Sequence, residues 1–565
     1  MLPAIAITLI GLVSFAPVAP LLAQEKLQDA PGSVPAAMGD STDPVVIVTL
    51  GSINQLTQDI NYISGAVGAP QIGFTFAMMA GSFAQGIDTN RPIGIVVPIV
   101  DGAAEPIALI PAADVKTVLK PLEAQTGPVD ELDDGTLVVM VAANTIFIRQ
   151  AGPWAVLARS RAALDSAPVD PGALLADMAS NYDIAIKLDV QKVPASVRDA
   201  LIGQIRQGFN QTMDRQQDAD TEAAKAAAQE SLEQLEQVIG QTDDLMLGFD
   251  IDATNRRVLV DVSFTAVPGS ELGTIYEGQK PIPSAFEMVI QEDAAAYFHA
   301  ASSLGPETIE QARGSIDGLL KAGREALSQV DELSESEQAD AADMIERIVE
   351  LTIDSYSEGK VNLGGLLIAD AGEMQFALGT MIANGNDAAQ IVKDIAKKIE
   401  GRGDAPRFEF DRETYKGVSM HLIEADVPES EDEVSKVFGE TVRLHIGTGE
   451  KSLFVALGDS SVPLMMKLID GSAEVGPVSS DGQLLTAQIN LMPILKFAQS
   501  IESNDAIASM LDALARADDP GQLMIQSRSI ANGQSTRIIM GDGLIKAIGA
   551  AYTQAQMAKM QNGQF

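Results

Sequence analysis

The stretch Asp244–Phe264, "DLMLGFDIDATNRRVLVDVSF", decides the fold. Leu245, Leu247, Phe249 and Ile251 face one way, and across a turn Val258, Val260, Val262 and Phe264 do the same. A period of two is what a strand with one buried side requires, so the stretch is a β-hairpin. Near the other end, "GQLMIQSRSIANGQSTRIIMGDGLIKAIGAAY" has the same build, with Asn532-Gly533 as a turn pair that accepts positive φ.

Working outward, other units recur in the same order. "GIVVPIVDGAAEPIALIPAADVKTVLKPL" (Gly94–Leu122) reads as strand, tight Asp101-Gly102 turn, strand and helix, the strands being Ile93–Val100 and Ile107–Ile110. "GGLLIADAGEMQFALGTMIANGNDAAQIVKDIAKKI" repeats that order, with Asp370 to Gly372 at its turn. The three strands of Thr136–Ser160 are answered by "GVSMHLIEA" and "TVRLHIGTGEKSLFVALG". "YDIAIKLDV" before Pro194 is answered by "LLTAQINLM" around Pro493. Identity between the copies is negligible, so what repeats is the order of elements. A unit kept while its turn residues change is kept for its shape, and the stretch is scaffold.

The expected fold is α+β: two similar lobes, each of antiparallel sheet made from strand–hairpin–helix units with helices packed on one face. The lobes span residues 45–279 and 280–565, the second ending in a C-terminal helix, with "EGQKPIPSAF" as linker between them. "FEMVI" (Phe286–Ile290) reads as a short strand and "AAAYFHAASS" around His299 as helix. Met78-Met79 in "FAMMAG" and the pair in "PLMMKLI" read as core filler. The segment Asp214–Gly240 is rich in helix formers.

At 565 residues the chain exceeds the roughly 250–300 at which a single core stops growing. Its net charge of −40 repels phosphates, which argues against nucleic acid and against an anionic membrane face. The first 23 residues, "MLPAIAITLIGLVSFAPVAPLLA", are apolar and broken by Pro3, Pro17 and Pro20, and fit a secretory signal peptide cut after Ala23. An uncleaved N-terminal anchor is the alternative. Residues 24–44 form a flexible polar lead. The expected location is periplasmic or extracellular, in the cell envelope. With no cysteine, thiol nucleophiles and thiolate metal sites are excluded. No later apolar run reaches membrane-spanning length, so no span is expected in the mature chain.

Candidate sites are few. His421 shares its strand face with Ser419, and His445 with Arg443, so both read as solvated sheet residues rather than as a two-histidine metal site. "GTGEKS" (Gly447–Ser452) lacks the phosphate-loop spacing and reads as a hairpin turn. The tripeptide Arg402–Asp404 sits in a loop and carries no assignment. "DVPESEDEVSK" lacks the calcium-loop pattern. "SEGK" (Ser357–Lys360) matches Ser-x-x-Lys by letter without its companion motifs. No catalytic, metal or cofactor-binding residue is assigned, and no cofactor is expected.

"WAVLARSRAALDSAP" (Trp154–Pro168) with "YDIAIKLDVQKVPASVRDALIGQIRQGF" (Tyr182–Phe209) resembles a group of large, exported, acidic proteins of planctomycete type that lack an assigned function. The resemblance implies export and a duplicated α+β organisation, and it supplies no active residues.

The leading expectation is a non-enzymatic envelope protein with a structural or protein-binding role, its partners other envelope proteins. The first alternative is a periplasmic carrier of an apolar ligand or lipid, motivated by the small-residue and Met-rich helix near Phe74–Ala84. The second is a carboxylate-based hydrolase. A carrier needs an apolar pocket of at least ~300 Å³. A hydrolase needs two acids converging in a cleft with opposed pKa shifts. A pure scaffold needs neither.

Overall fold

The computed structural model describes residues 43–561 apart from 121–122, 124–126, 142–143, 216–235, 329–334, 400–404, 429–431, 475 and 503. The expected signal peptide, most of the lead, much of the helix-rich segment and Arg402–Asp404 lie outside the described residues.

Strand β1 (Val46–Leu50) is followed by the helices α1 (Ile53–Ala66) and α2 (Pro70–Phe83), then by β2 (Ile93–Val97). A small arm, β3 (Ile99–Val100) and β4 (Ala103–Ala104), leads into β5 (Ile107–Pro111) and the short helix α3 (Val115–Leu119). The arm turns at Asp101 and Gly102, both at positive φ, which is why that Asp-Gly pair is there. Next come β6 (Asp130–Glu131), β7 (Leu137–Val141), β8 (Asn144–Ala151) and β9 (Trp154–Ala158). Helices α4 (Arg161–Asp165) and α5 (Pro171–Asn181) precede β10 (Ile184–Asp189) and α6 (Ala195–Arg215). The hairpin β11 (Thr242–Asp252) and β12 (Arg257–Ala266), then α7 (Glu271–Gly278), complete this half.

The rest of the chain opens with β13 (Ala296–Ser303), the helices α8 (Pro306–Ser328) and α9 (Glu335–Ser357), and β14 (Lys360–Asp370). It continues through β15 (Glu373–Met381), α10 (Gly385–Ile399), β16 (Arg407–Tyr415), β17 (Val418–Asp426) and α11 (Asp432–Phe438). Then come β18 (Thr441–Thr448), β19 (Ser452–Leu457), α12 (Val462–Ser472) and β20 (Gln483–Asn490). Helices α13 (Leu491–Ile501) and α14 (Asp505–Leu514), the hairpin β21 (Gln522–Ile530) and β22 (Gly533–Gly541), and α15 (Asp542–Gln561) end the fold.

The fold is α+β, with twenty of these strands in one antiparallel sheet. In space the first half runs β6-β7-β8-β9-β5-β2-β1-β10-β11-β12. The second half runs β16-β17-β18-β19-β15-β14-β13-β20-β21-β22. Position for position, the order along the chain is the same in both. The halves are joined where β12 pairs with β22, Asp261 opposite Arg537, so the sheet runs unbroken from one to the other.

Helices lie on both faces of the sheet, not on one. On the back face α4 and α5 cover Val96, Leu109, Trp154 and Val156, while α12 covers Leu366, Ala377, Phe454 and Ala456. On the front face α9 and α10 cover Leu378, Ile423, Ile446 and Val455. The reason is visible in "VSMHLIEA" and "SLFVAL", which are buried along nearly every residue and so need cover twice. "FEMVI" forms a 3₁₀ turn at Glu287–Val289, with Phe286 and Val289 plugged into the back-face core. His299 lies on β13, not on a helix.

Both ends of the sheet are blunted. Strand β6 is two acidic residues long. Strand β16 carries Arg407, Glu409, Asp411, Arg412 and Glu413, with an irregularity between Glu409 and Glu413 where Asp411 takes φ 52°.

Candidate functional site

The centre of the front face is where the two halves leave the sheet least covered. Across β2, β10, β11, β12 and β20, Ile95, Ile186, Leu247, Val262 and Ile489 are each more than a third exposed. Alternation produces this: β12 and β20 turn Asp261 and Gln488 to the back, where β22 places Arg537 beside Asp261. Helix α1 and the start of α15 cover only one end of the strip, through Tyr62, Ile63 and Ile545 against Phe249, Ile251 and Val258.

Within the strip lies an open groove of about 310 Å³. Its floor is made of small residues, Ala296, Gly365 and Ala487, and its walls of Phe298, Leu367, Phe376, Ile489, Leu523 and Ile525. Gly365 is required by its neighbour, because a Cβ there would strike the ring of Phe298. Tyr297 and Gln488 line the groove with backbone alone, their side chains meeting on the far side, Tyr297 Oη to Gln488 Oε1 at 3.2 Å. In the first half, the strands corresponding to the groove place Ile95, Ile186, Leu245 and Leu247 together through the pairings Ile186↔Leu247 and Leu188↔Leu245.

The back of the join is polar. Arg537 donates to Asp261 through Nε (2.8 Å) and Nη2 (2.6 Å), and Tyr182 Oη donates to Asp261 Oδ2 at 2.8 Å. Tyr182 reaches across β11 because Gly248 has no side chain to block its ring. Burial opposes the Asp261 charge, but Arg537 and Tyr182 outweigh it and hold the carboxyl below its usual range.

A second ionisable group is fully internal. Asp59 on α1 and Asp183 at the start of β10 are 6 % and 1 % exposed. Asp183 accepts from Gln55 Nε2 (3.2 Å) and from the Ile251 amide (2.8 Å), whereas Asp59 Oδ2 is buried without a partner among the described residues. Burial, then the charge of Asp183, pushes Asp59 up to about 7. Burial raises Asp183 as well, and burial with the charge of Asp183 lifts Asp250 to about 6. Both members of the pair shift the same way, and neither lines the groove. That is the signature of a shared proton, not of a separated acid and base.

The histidines are not the solvated residues the sequence suggests. His421 faces the front and is buried, its Nδ1 accepting from the Asp411 amide at 3.1 Å and its Nε2 3.0 Å from Thr448 Oγ1. His445 faces the back and meets Asp459 Oδ1 at 3.0 Å. Opposite faces prevent the two from sharing a metal. His299 Nε2 lies 2.6 Å from Ser284 Oγ, but that hydroxyl is buried and already accepts the Phe286 amide. Burial drives His299 down to about 4, so it is a neutral core residue. No cluster of three or more metal-ligating side chains occurs among the described residues. "GTGEKS" is the β18–β19 turn, and Ser357 of "SEGK" donates to the Ile353 carbonyl of its own helix and accepts from Arg313 Nη2 of α8. Met465 is core, as expected, whereas Met78 and Met79 are exposed.

No protein-family model matches this chain, and neither a curated protein nor a solved structure does.

Proposed function

We propose that this chain is an exported, non-enzymatic binding protein whose sheet carries an apolar ligand such as a lipid acyl chain. One observation carries the reading: a groove of about 310 Å³ walled by apolar side chains, on a sheet face left partly uncovered. A groove of that size meets the minimum for a ligand site, which a pure scaffold has no reason to keep. The hydrolase alternative loses support, since the buried acids shift together and sit away from the groove. The matching strand order of the two halves supports a duplicated lobe, residues 45–279 and 280–565, each contributing half of the apolar strip.

The expectation of a protein partner is favoured by the breadth of the strip, which extends over both halves and beyond the groove. Titrating the delipidated full chain with a fluorescent long-chain fatty acid tests the first reading. Saturable binding that falls at least tenfold in Ala487→Trp, whose indole fills the groove floor, is expected. Ile489→Glu, a change at an exposed position, gives the same loss by charging the wall. Absence of saturable binding, or binding indifferent to both substitutions, overturns the carrier reading. A stoichiometric protein found by native mass spectrometry then favours the other.

A further inference from the structure

Helix α2, "PQIGFTFAMMAGSF", is uncharged, and no charged residue occurs between Asp59 and Asp88 in a chain that is 21% charged. A helix apolar on all sides is normally buried on all sides. This one is not: Ile72, Phe74, Met78 and Met79 are 55%, 71%, 61% and 54% exposed. Its close contact is with α1 alone, where Gly73 sits so tightly on Asn61 and Ser64 that a Cβ would collide. The counterpart helix in the second half, α9, lies down on the sheet through Leu351, Met344 and Ile348. Helix α2 instead leaves Ile72, Phe74, Met78 and Met79 facing outward.

A second element brings apolar side chains to the same place. Gly549 of α15 is pressed against the Val67 backbone, at the tip of the α1–α2 hairpin. On either side of it along α15, Ile548 and Tyr552 are 54% and 65% exposed. Exposed aliphatic side chains, methionines, Phe74 and a tyrosine thus lie along α2 and the adjoining part of α15, side chains of the kind that enter the boundary between headgroups and acyl chains. The helix is about 21 Å long at 1.5 Å per residue, enough to lie in one leaflet and short of a span. No helix among the described residues is long and apolar enough to cross a membrane.

We propose that α2, flanked by Ile548 and Tyr552 of α15, docks this protein on the surface of an electrically neutral lipid bilayer. Charge selects the occupant. Neither α1 nor α2 contains Lys or Arg, and Lys546 of α15 is held by Asp542 at 2.6 Å, so the α1–α2 hairpin itself brings no cation to anionic headgroups. The net charge of −40 repels such headgroups outright. Attraction therefore comes from burying apolar side chains, and zwitterionic lipid is the surface that permits it. This docking is independent of the groove on the sheet.

The test uses the full chain with phosphatidylcholine vesicles. Co-sedimentation that persists between 0.05 and 0.5 M salt is expected, and it weakens when anionic lipid is mixed in. The double variant Phe74→Ser/Met78→Ser lowers the partition coefficient at least tenfold with an unchanged circular dichroism spectrum, because both residues are exposed. In Phe74→Trp, brominated phosphatidylcholine quenches the added indole, while Trp154, buried in the sheet, is spared. Ala487→Trp keeps vesicle binding, which separates this surface from the groove. Failure to bind neutral vesicles, binding unaffected by the double variant, or a concentration-dependent dimer abolished by it would overturn the proposal, the last by showing a second copy to be the occupant.

Discussion

Replacing Asp59 by Asn removes one member of the buried carboxyl pair while keeping its shape. In the folded chain Asp59 titrates at about 7, against 3.8 for a free aspartate. Because the folded value is the higher one, the folded state binds more protons than the unfolded state between the two. The stability this contributes is complete below about pH 4 and is lost as pH rises to 7. At about 1.4 kcal/mol per pH unit the full loss is about 4 kcal/mol, of which about 2 falls between pH 5.5 and 7. Asp183 rises with Asp59, so the figure belongs to the pair. The groups facing Asp59 are Asp183 from β10 and Asp250 from β11, with Arg257 of β12 acting on Asp250. An Asn amide donates to Asp183 at every pH, as the protonated carboxyl does only at low pH. Urea unfolding of wild type and Asp59→Asn at pH 5.5, 7 and 8.5 is the assay. The variant should gain about 2 kcal/mol on wild type between pH 5.5 and 7, and hydrogen exchange in α1 should slow in parallel. A difference that stays flat with pH, or a variant less stable at pH 8.5, would refute the shared proton.

Arg537→Met leaves Asp261 buried with only Tyr182 as partner and should cost about 3 kcal/mol, most of it recovered in Asp261→Leu/Arg537→Met; chemical denaturation of the two variants checks this. Gly365→Val drives the Phe298 ring out of its place, and should destabilise by about 1–3 kcal/mol in urea while weakening fatty-acid binding. His299 is neutral when folded down to about pH 4. Its imidazole signal should therefore stay unshifted by NMR from pH 8 to 5, and its contribution to stability should decline only as pH falls from 6.5 towards 4.

What could be read from the sequence was whatever a strand or turn states locally. The alternation at Asp244–Phe264 gives β11 and β12 in register, Leu247 opposite Val262, and Asn532-Gly533 makes the turn before β22. The order of units repeats because each unit is written in contiguous residues. Which strand lies beside which is not so written: β1 pairs with β10, and β12 with β22, through contacts far apart in sequence. The groove is hidden for that reason, since Gly365 and Ile525 look like ordinary strand residues and Phe298 sits in a stretch that reads as helix until they meet. His421 and His445 look solvated if each strand has one apolar face, but β17 and β18 have two. Asp59 and Asp183 were lost among 78 acids, with only tertiary structure to single them out. Met78 reads as interior from its type, whereas it lies exposed in a stretch with no charged neighbour.

A ribbon of strands that never closes into a ring has two raw margins, and each could recruit another molecule and grow without limit. Here one margin ends in two acidic residues that cover only part of β7, and the other bristles with ions already engaged, Arg407 with Asp426 and Lys393 with Asp411. An incoming strand would have to strip those ions and approach a body carrying forty surplus negative charges. Charge at the rims thus disfavours the end-to-end growth that so large an open sheet invites.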